Sequence, residues 1–390
     1  MHDGSYVFRQ ITGALSRYDF EKCVEVYKGN RFVKSFPCWQ QFLCLSFGQL
    51  TFRDSARSIV LCINAHPKKL HHLGFAGTIK LSTLYYANEQ RDWRIYEAFA
   101  QTLIKRVRPL YQNDPSFLEG LDGTFYAFDS TTIDLCLAVF TWAHFREHKG
   151  AVKAHVLLDL RGNLPTFIHI TDGTVHDVNA LDVLPIEPGA CYIMDRGYID
   201  FQRLHDIHGK GAFFITRMKR NMQWKRLYSR PVDRSKGLRC DQTIRLMGIK
   251  AQKDYPDLLR RVKFYDEETK NTYVFLTNNF ILTAQQIADL YKQRWQIELF
   301  FKWIKGHLKI KVFWGESENA VRTQIWVAVC IYLAVAILKK QCRIEQSMYD
   351  ILQILSTSAF EKIGLRELFS KTDLQNSEAD PDFSALGLGF

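Results

Sequence analysis

Along the first 115 residues, apolar positions return every three or four residues. "DFEKCVEVY" (19–27), "CWQQFLCLSFGQL" (38–50), "DSARSIVLCINA" (54–65) and "RDWRIYEAFAQTLIKRV" (91–107) each place them on one helical face. Asp19 and Asp54 read as N-caps. "KLSTLYYANEQR" (80–91) reads as a shorter helix opened by Ser82 or Thr83 and bordered by Lys80 and Arg91. A short helix with aromatic and polar faces and basic flanks can enter a DNA major groove, although an ordinary helical domain shows the same period. Asn113, Asp114, Pro115 and Ser116, within "YQNDPSF" (111–117), mark a boundary.

Beyond it the period changes to two. "TFYAF" (124–128) predicts a strand. "AVKAHVLLDL" (151–160) and "LPTFIHI" (164–170) predict a hairpin turning at "RGN". A short helix over 177–184, a buried strand "CYIM" (191–194), a helix near 200–208 and a strand "AFFIT" (212–216) follow. Strands and helices in that succession make a mixed α/β core. Residues 217–277 are irregular and basic, with strand-like pieces at "TIRLMGIKA" (243–251) and "NTYVFLT" (271–277). Then "TAQQIADLYKQRWQIELFFKWIKGHL" (283–308) predicts one long helix capped by Thr283, with more helices at 317–342 and 346–356. The tail "SEADPDFSALGLGF" (377–390) is expected to fray.

Composition narrows the partners. Of 390 residues, 47% are hydrophobic, enough for a large core, and the formal net charge is +11, which favours a polyanion such as DNA. Nine cysteines are scattered without zinc-finger spacing and read as reduced, mostly buried thiols of a cytosolic protein. His66, His71 and His72 lack a cysteine or carboxylate at ligand spacing and read as a solvated basic loop. "IWVAVCIYLAVAIL" (325–338) is short for a membrane span and is flanked by Lys339 and Lys340, so it predicts a buried core helix, and no membrane partner is expected.

The chemistry is carried by carboxylates. On a helix, Tyr291, Arg294, Glu298 and Lys305 fall within an arc of about 60°, opposite a side formed by Leu290, Ile297, Phe300, Phe301 and Ile304. A solvated stripe of i,i+4 ion pairs would account for the helix taken alone. Asp129 and Asp195, however, each end an apolar strand. If those strands are parallel neighbours, the two carboxylates converge at one sheet edge, where Glu298 can join them. Three crowded carboxylates repel unless cations neutralise them, and oxygen-only ligands favour Mg²⁺ or Mn²⁺. Two such ions can activate an attacking oxygen and stabilise a leaving one at a phosphodiester. Arg294 and Lys305 would then contact flanking phosphates, and Tyr291 another phosphate oxygen. Asp134 lies a few residues past Asp129; Asp159, Asp172 and Asp177 read as turn and cap residues.

These residues resemble those of the DDE transposases of bacterial insertion sequences, specifically insertion-sequence family four. That family's signature is Tyr, two residues, Arg, three residues, Glu, six residues, Lys, matched by Tyr291, Arg294, Glu298 and Lys305. "FDSTTIDL" and "YIMDRGY" match the two Asp motifs, and "FGQLTFRDSARSIVLCINAH" resembles the family's N-terminal domain. The resemblance implies an RNase H-like mixed-sheet core over 116–216 and 278–390, with C-terminal helices. It also implies an all-helical DNA-binding domain over 1–115 and a β-rich basic insertion over 217–277. It assigns Asp129, Asp195 and Glu298 as catalytic and metal-binding residues for two Mg²⁺ or Mn²⁺ ions. The expected reaction is cut-and-paste transposition through a DNA hairpin. Its partners would be the terminal inverted repeats, target DNA and, in the DNA complex, a second copy of the chain. In "RMKRNMQWKR" (217–226), Lys219, Arg220, Lys225 and Arg226 would contact DNA. Relatives stack a flipped base on an insertion aromatic; Trp224 is the candidate, with Tyr228, Phe264 and Tyr265 competing. Two rivals are a metal-dependent nuclease of the same fold that does not join ends and a domesticated DNA-binding protein without chemistry.

Overall fold

The computed structural model describes residues 4–112, 120–136, 139–146, 149–307 and 313–370. The tail expected to fray and most of the 111–117 boundary lie outside these residues.

The N-terminal part is helical: α1 (Val7–Gly13), α2 (Arg17–Val26), α3 (Cys38–Leu50), α4 (Ala56–Asn64), α5 (Leu70–Leu73), α6 (Leu81–Gln90) and α7 (Arg94–Tyr111). α3 is buried on every side, while α7 buries Ile95, Tyr96, Phe99, Leu103, Ile104 and Val107 and exposes its charged face. The caps differ from expectation. Ser16 and Ser55, not Asp19 and Asp54, cap α2 and α4, each accepting the N–H three residues on. The serine side chain is the shorter reach at each entry, and Asp19 falls in the first turn, where its charge complements the helix dipole. α6 starts at Leu81 after Lys80 with no side-chain cap, so Ser82 and Thr83 lie inside it. His71 and His72 stand in α5 rather than a loop, and His66 packs on Phe360.

The strands are β1 (Phe125–Leu135), β2 (His144–Arg146), β3 (Lys149–Asp159), β4 (Leu164–Asp172) and β5 (Cys191–Met194). After α8 (Phe201–Gly209) come β6 (Phe213–Arg217), β7 (Trp224–Arg230), β8 (Leu238–Leu246), α9 (Ile249–Asp254), β9 (Leu259–Asp266) and β10 (Asn271–Thr277). They form one sheet in the order β2-β3-β1-β5-β6-β10-β9-β8-β7, with β4 also on β3. β3 and β4 run antiparallel as a hairpin beside β1, and β5 and β6 run parallel to β1. The parallel β5–β6 step needs a crossover, which α8 supplies. This strand order and direction is the RNase H-like arrangement.

Alternation assigns the sheet's two faces. Phe125, Ala127, Cys191 and Ile193 join the larger core with α7 and the C-terminal helices, while Tyr126, Phe128, Tyr192 and Met194 join a second core with Leu204 and Ile207 of α8. Both faces are covered, as parallel strands require. Residues 217–277 add no separate sheet, because β7–β10 continue the same one beyond β6. "TIRLMGIKA" does not remain a strand. It leaves the sheet after Leu246, turns at Gly248 in the left-handed region (φ 97°) and enters α9.

The helix expected over 283–308 is two: α10 (Ala284–Lys292) and α11 (Trp295–His307). No proline or glycine separates them. The break is a run of i→i+3 bonds, Gln293 N–H to Leu290 O, Arg294 to Tyr291 and Ile297 to Arg294, each 3.1 Å. α10 packs on β6, β8 and β9, whereas α11 packs on β1 and α13 (Met348–Ser358), so the two halves follow different surfaces. Between α11 and α13 lies α12 (Glu318–Cys342), long and apolar enough to cross a membrane, yet buried against α3 and α7; α14 (Leu365–Ser370) follows. This core position agrees with the reading of 325–338.

Candidate active site

The parallel pairing of β1 and β5 ends at Phe128 and Met194, so Asp129 and Asp195 are the next residues on adjacent strands. Backbones at that point lie about 4.8 Å apart. Asp129 does not end its strand: β1 continues to Leu135 along β3, with Asp129 opposite Val156. Parity with Phe125 and Ala127 turns Asp129 to the face that α11 covers. Asp195 begins a 3₁₀ turn and accepts the Gly197 N–H, while Thr216 Oγ1 donates to its carbonyl at 2.9 Å. A Cβ at Gly197 would lie 2.8 Å from Asp195 Oδ1, so a side chain there would dislodge the carboxylate.

α10 and α11 bring the second half of the site. Arg294 Nη1 donates to Asp129 Oδ2 at 3.1 Å, and Nη2 donates to Glu298 Oε1. Lys305 Nζ donates to Thr132 O of β1 at 2.6 Å. Tyr291 is buried, its ring 4.8 Å from Phe275, and burial pushes its phenol up to about 12. Its buried hydroxyl makes no hydrogen bond of ordinary geometry among the described residues, with the Arg294 guanidinium as its neighbour. Arg294 and Lys305 reach β1 directly and Glu298 joins it through Arg294, whereas Tyr291, before the break in the helix, packs on β10. Trp295, near the stripe by angle, is 49% exposed.

Asp129 feels all of this. Burial pushes its carboxyl up to about 6; Arg294 and the Ser130 N–H pull it down, and the Asp195 and Glu298 charges push it up again. Asp129 therefore lies within reach of the other two charges, and a guanidinium joins it to Glu298. Among the described residues, no three His, Cys, Asp or Glu side chains stand where they could hold one ion. The donor set fits a hard divalent cation, being carboxylate oxygen alone. Arg294 is the cation paired with Asp129 and Glu298.

Other expected residues lie elsewhere. Trp224 is half-buried on β7 with the Arg261 guanidinium 4.7 Å from its ring centroid, and it packs against the second core. Lys219 is half-buried, its Nζ 3.5 Å from Ile199 O, whereas Arg220, Lys225, Arg226 and Tyr228 are exposed. Phe264 is buried and Tyr265 partly so. β7 lies four strands beyond β6, roughly 19 Å at ordinary strand spacing. Asp134 is exposed on β1, Asp159 pairs with Arg108 at 3.4 Å, Asp172 is exposed, and Asp177 pairs with Lys153 at 3.1 Å. All nine cysteines are free thiols, and only Cys136 is exposed.

Two residues at the rim escaped the sequence reading. Arg217 follows Thr216, the partner of Met194, and so lies on the strand beside Asp195; its charge reaches Tyr291. It sat unmarked in a basic run. Tyr198, in the stretch "DRGY", is buried with its ring 5.1 Å from that of Phe128, and its hydroxyl lies within the fields of Asp129 and Asp195. Burial of an aromatic three residues past a turn gives no periodic signal.

Comparison with known proteins adds a second line of observation. The model of the transposase DDE domain matches residues 120–334, and that of a domain of unknown function (DUF4372) matches residues 3–76. A chain of Sinorhizobium fredii described as transposase y4zB is 37% identical over 259 residues, covering 65% of this chain and 69% of that one. One of Geobacillus stearothermophilus, described as a transposase for insertion sequence element IS5377, is 31% identical over 238 residues, covering 58% and 60%. One of Synechocystis, described as a transposase for insertion sequence element IS4SA, is 25% identical over 307 residues, covering 75% and 82%. The solved structure of the piggyBac transposase synaptic complex with hairpin DNA gives a TM-score of 0.44 at 11% identity, covering 96% of this chain and 81% of that chain, too loose a likeness to bear on chemistry.

Proposed function

The chain belongs to the transposase DDE domain family, and we propose that it is a cut-and-paste DNA transposase with Asp129, Asp195 and Glu298 as its catalytic acids. The observation that carries this reading is the setting of Asp129, buried and pressed by the charges of two other acids, with Arg294 as the counter-charge. The three carboxylates would hold Mg²⁺ or Mn²⁺, which when bound would activate the attacking oxygen and stabilise the leaving one.

In the proposed sequence, water attacks the phosphodiester at a transposon end and its oxygen joins the phosphorus, freeing a 3′-hydroxyl. That hydroxyl attacks a phosphorus of the opposite strand, displacing the 3′-hydroxyl of the flanking DNA and closing a hairpin. A second water attacks the hairpin phosphorus and releases the 3′-hydroxyl again, which finally attacks a target phosphodiester and displaces a target 3′-hydroxyl. Arg294 and Lys305 supply positive charge to the phosphates beside the scissile bond, and Tyr291 orients another phosphate oxygen. Exposed Arg220, Lys225 and Arg226, with Lys219, extend the DNA path along the insertion, and Trp224 or exposed Tyr228 stacks a flipped base. The N-terminal helices grip the inverted repeats, and two copies pair the two ends. The Tyr–Arg–Glu–Lys spacing supports placement in insertion-sequence family four.

Asp129→Asn, Asp195→Asn and Glu298→Gln are each expected to abolish end cleavage while leaving end binding within about threefold, because the phosphate contacts remain. A gel assay on labelled ends reads both; a variant that still cleaves removes its residue from the catalytic set. Pre-cleaved ends offered with target DNA test joining, and cutting without joining would favour the nuclease.

A further inference from the structure

Arg294 holds an unexpected position for a residue whose partner would be a DNA phosphate. It bridges two carboxylates from different elements, Asp129 of β1 and Glu298 of α11. Its side chain is 14% exposed, and its buried Nε has no hydrogen-bond partner among the described residues. It also sits at the joint between α10 and α11, where the backbone bonds shorten to i→i+3. A guanidinium keeps its charge at any working pH, and its planar fork suits two carboxylates at once. A divalent ion shared by Asp129 and Glu298 would compete with Arg294 for the same two carboxylates.

We propose that Arg294 is the site's resident counter-cation, holding Asp129 and Glu298 in the DNA-free protein and turning out from between them when a divalent ion enters. This rests on the reading of Asp129, Asp195 and Glu298 as the ion-binding set. The joint before Trp295 is the pivot, since the turn there is not held by a continuous i→i+4 ladder. Ion and DNA binding are then coupled through one side chain. A phosphate that draws Arg294 away frees the carboxylates for the ion, and an ion that takes the carboxylates releases Arg294 to the phosphate. Linkage makes the two effects equal. The free protein is held from loading its ions until DNA is present.

The test is Mn²⁺ affinity of the full chain without DNA, read as free Mn²⁺ by electron paramagnetic resonance. Arg294→Gln is expected to bind Mn²⁺ about tenfold tighter than wild type, and Asp129→Asn more weakly than wild type. Arg294→Lys, whose single ammonium spans the two carboxylates less well, is expected in between, and it replaces the Gln variant if circular dichroism shows that one unfolded. Weakened binding in Asp129→Asn with no tightening in either Arg294 variant would overturn the counter-cation and leave the ion-binding set standing. Wild-type affinity in Asp129→Asn would remove the ion-binding set, and the counter-cation with it.

Discussion

His155 on β3 lies opposite Ser130, the neighbour of Asp129, as a fully buried imidazole. Its Nε2 pairs with Thr171 Oγ1 at 2.9 Å, and its buried Nδ1 has no hydrogen-bond partner among the described residues. Burial lowers its pKa from 6.5 to about 4; Asp177 opposes the shift, and His169 and Lys153 add to it. The unfolded chain therefore takes up a proton near pH 6.5 that the folded chain refuses until about pH 4. Stability is lost as pH falls through that window, by on the order of 2–3 kcal/mol. His155→Gln, which keeps a hydrogen-bonding group toward Thr171, is expected to remove that loss. Urea midpoints at pH 7 and pH 4.5 check it, and an equal drop in both proteins would refute the assignment. At this scale the three proposed acids were legible because each carries a motif. Tyr198 and Arg217 were not, because their nearness to the acids is made by strand register and not by spacing along the chain.

The element that bears the signature shows both the reach and the limit of periodicity. The 3.6-residue period separates the buried apolar side, Leu290, Ile297, Phe300, Phe301 and Ile304, from Arg294, Glu298 and Lys305, but it also put Tyr291 on the polar strip, and Tyr291 is buried in the core. It does not show the break at Arg294, because three-residue bonds shift the faces only slightly and no breaker residue marks them. The start of α10 is written plainly. Thr283 Oγ1 accepts the Gln286 N–H at 3.2 Å, and Gln286 Oε1 accepts the Thr283 N–H at 2.8 Å. Thr283→Ala is expected to cost about 1 kcal/mol in a urea titration. No loss would mean that the loop ahead, held by Arg260 through Leu282 O and through Asn279 O at 3.1 Å, sets the helix start alone. Among strands, β9 alternates in burial, with Val262, Phe264 and Asp266 inward, but its run of charged residues masks the pattern. β7 is an exposed basic edge with almost no apolar face, so its pairing with β8 had no local signal.

One core joins the parts of the molecule. It takes in Phe8 and Phe42 of the first helices, Ile193 of the sheet and every residue of α12 from Ile325 to Leu338. Tyr111 of α7 donates to Ala336 O of α12 at 2.9 Å, and Trp314 Nε1 to Arg53 O at 3.1 Å. The N-terminal helices and the catalytic core are therefore expected to unfold together. Trp326, 1% exposed within α12, tests this: Trp326→Ala should cost about 3–5 kcal/mol and lower a single calorimetric transition. Two separated transitions, only one of them shifted, would show independent units. What the sequence determined alone is local: helical and alternating stretches, a basic balance, three acids and a four-residue signature, each readable because it depends on neighbours within one or two turns. Tertiary structure decided the rest. It set β1 beside β5 so that Asp129 and Asp195 adjoin, ran the insertion's strands into the catalytic sheet, split the signature helix and placed Arg294 between two acids. Those outcomes come from strand order, register and competing packing surfaces, and such long-range terms leave no periodic trace in the chain.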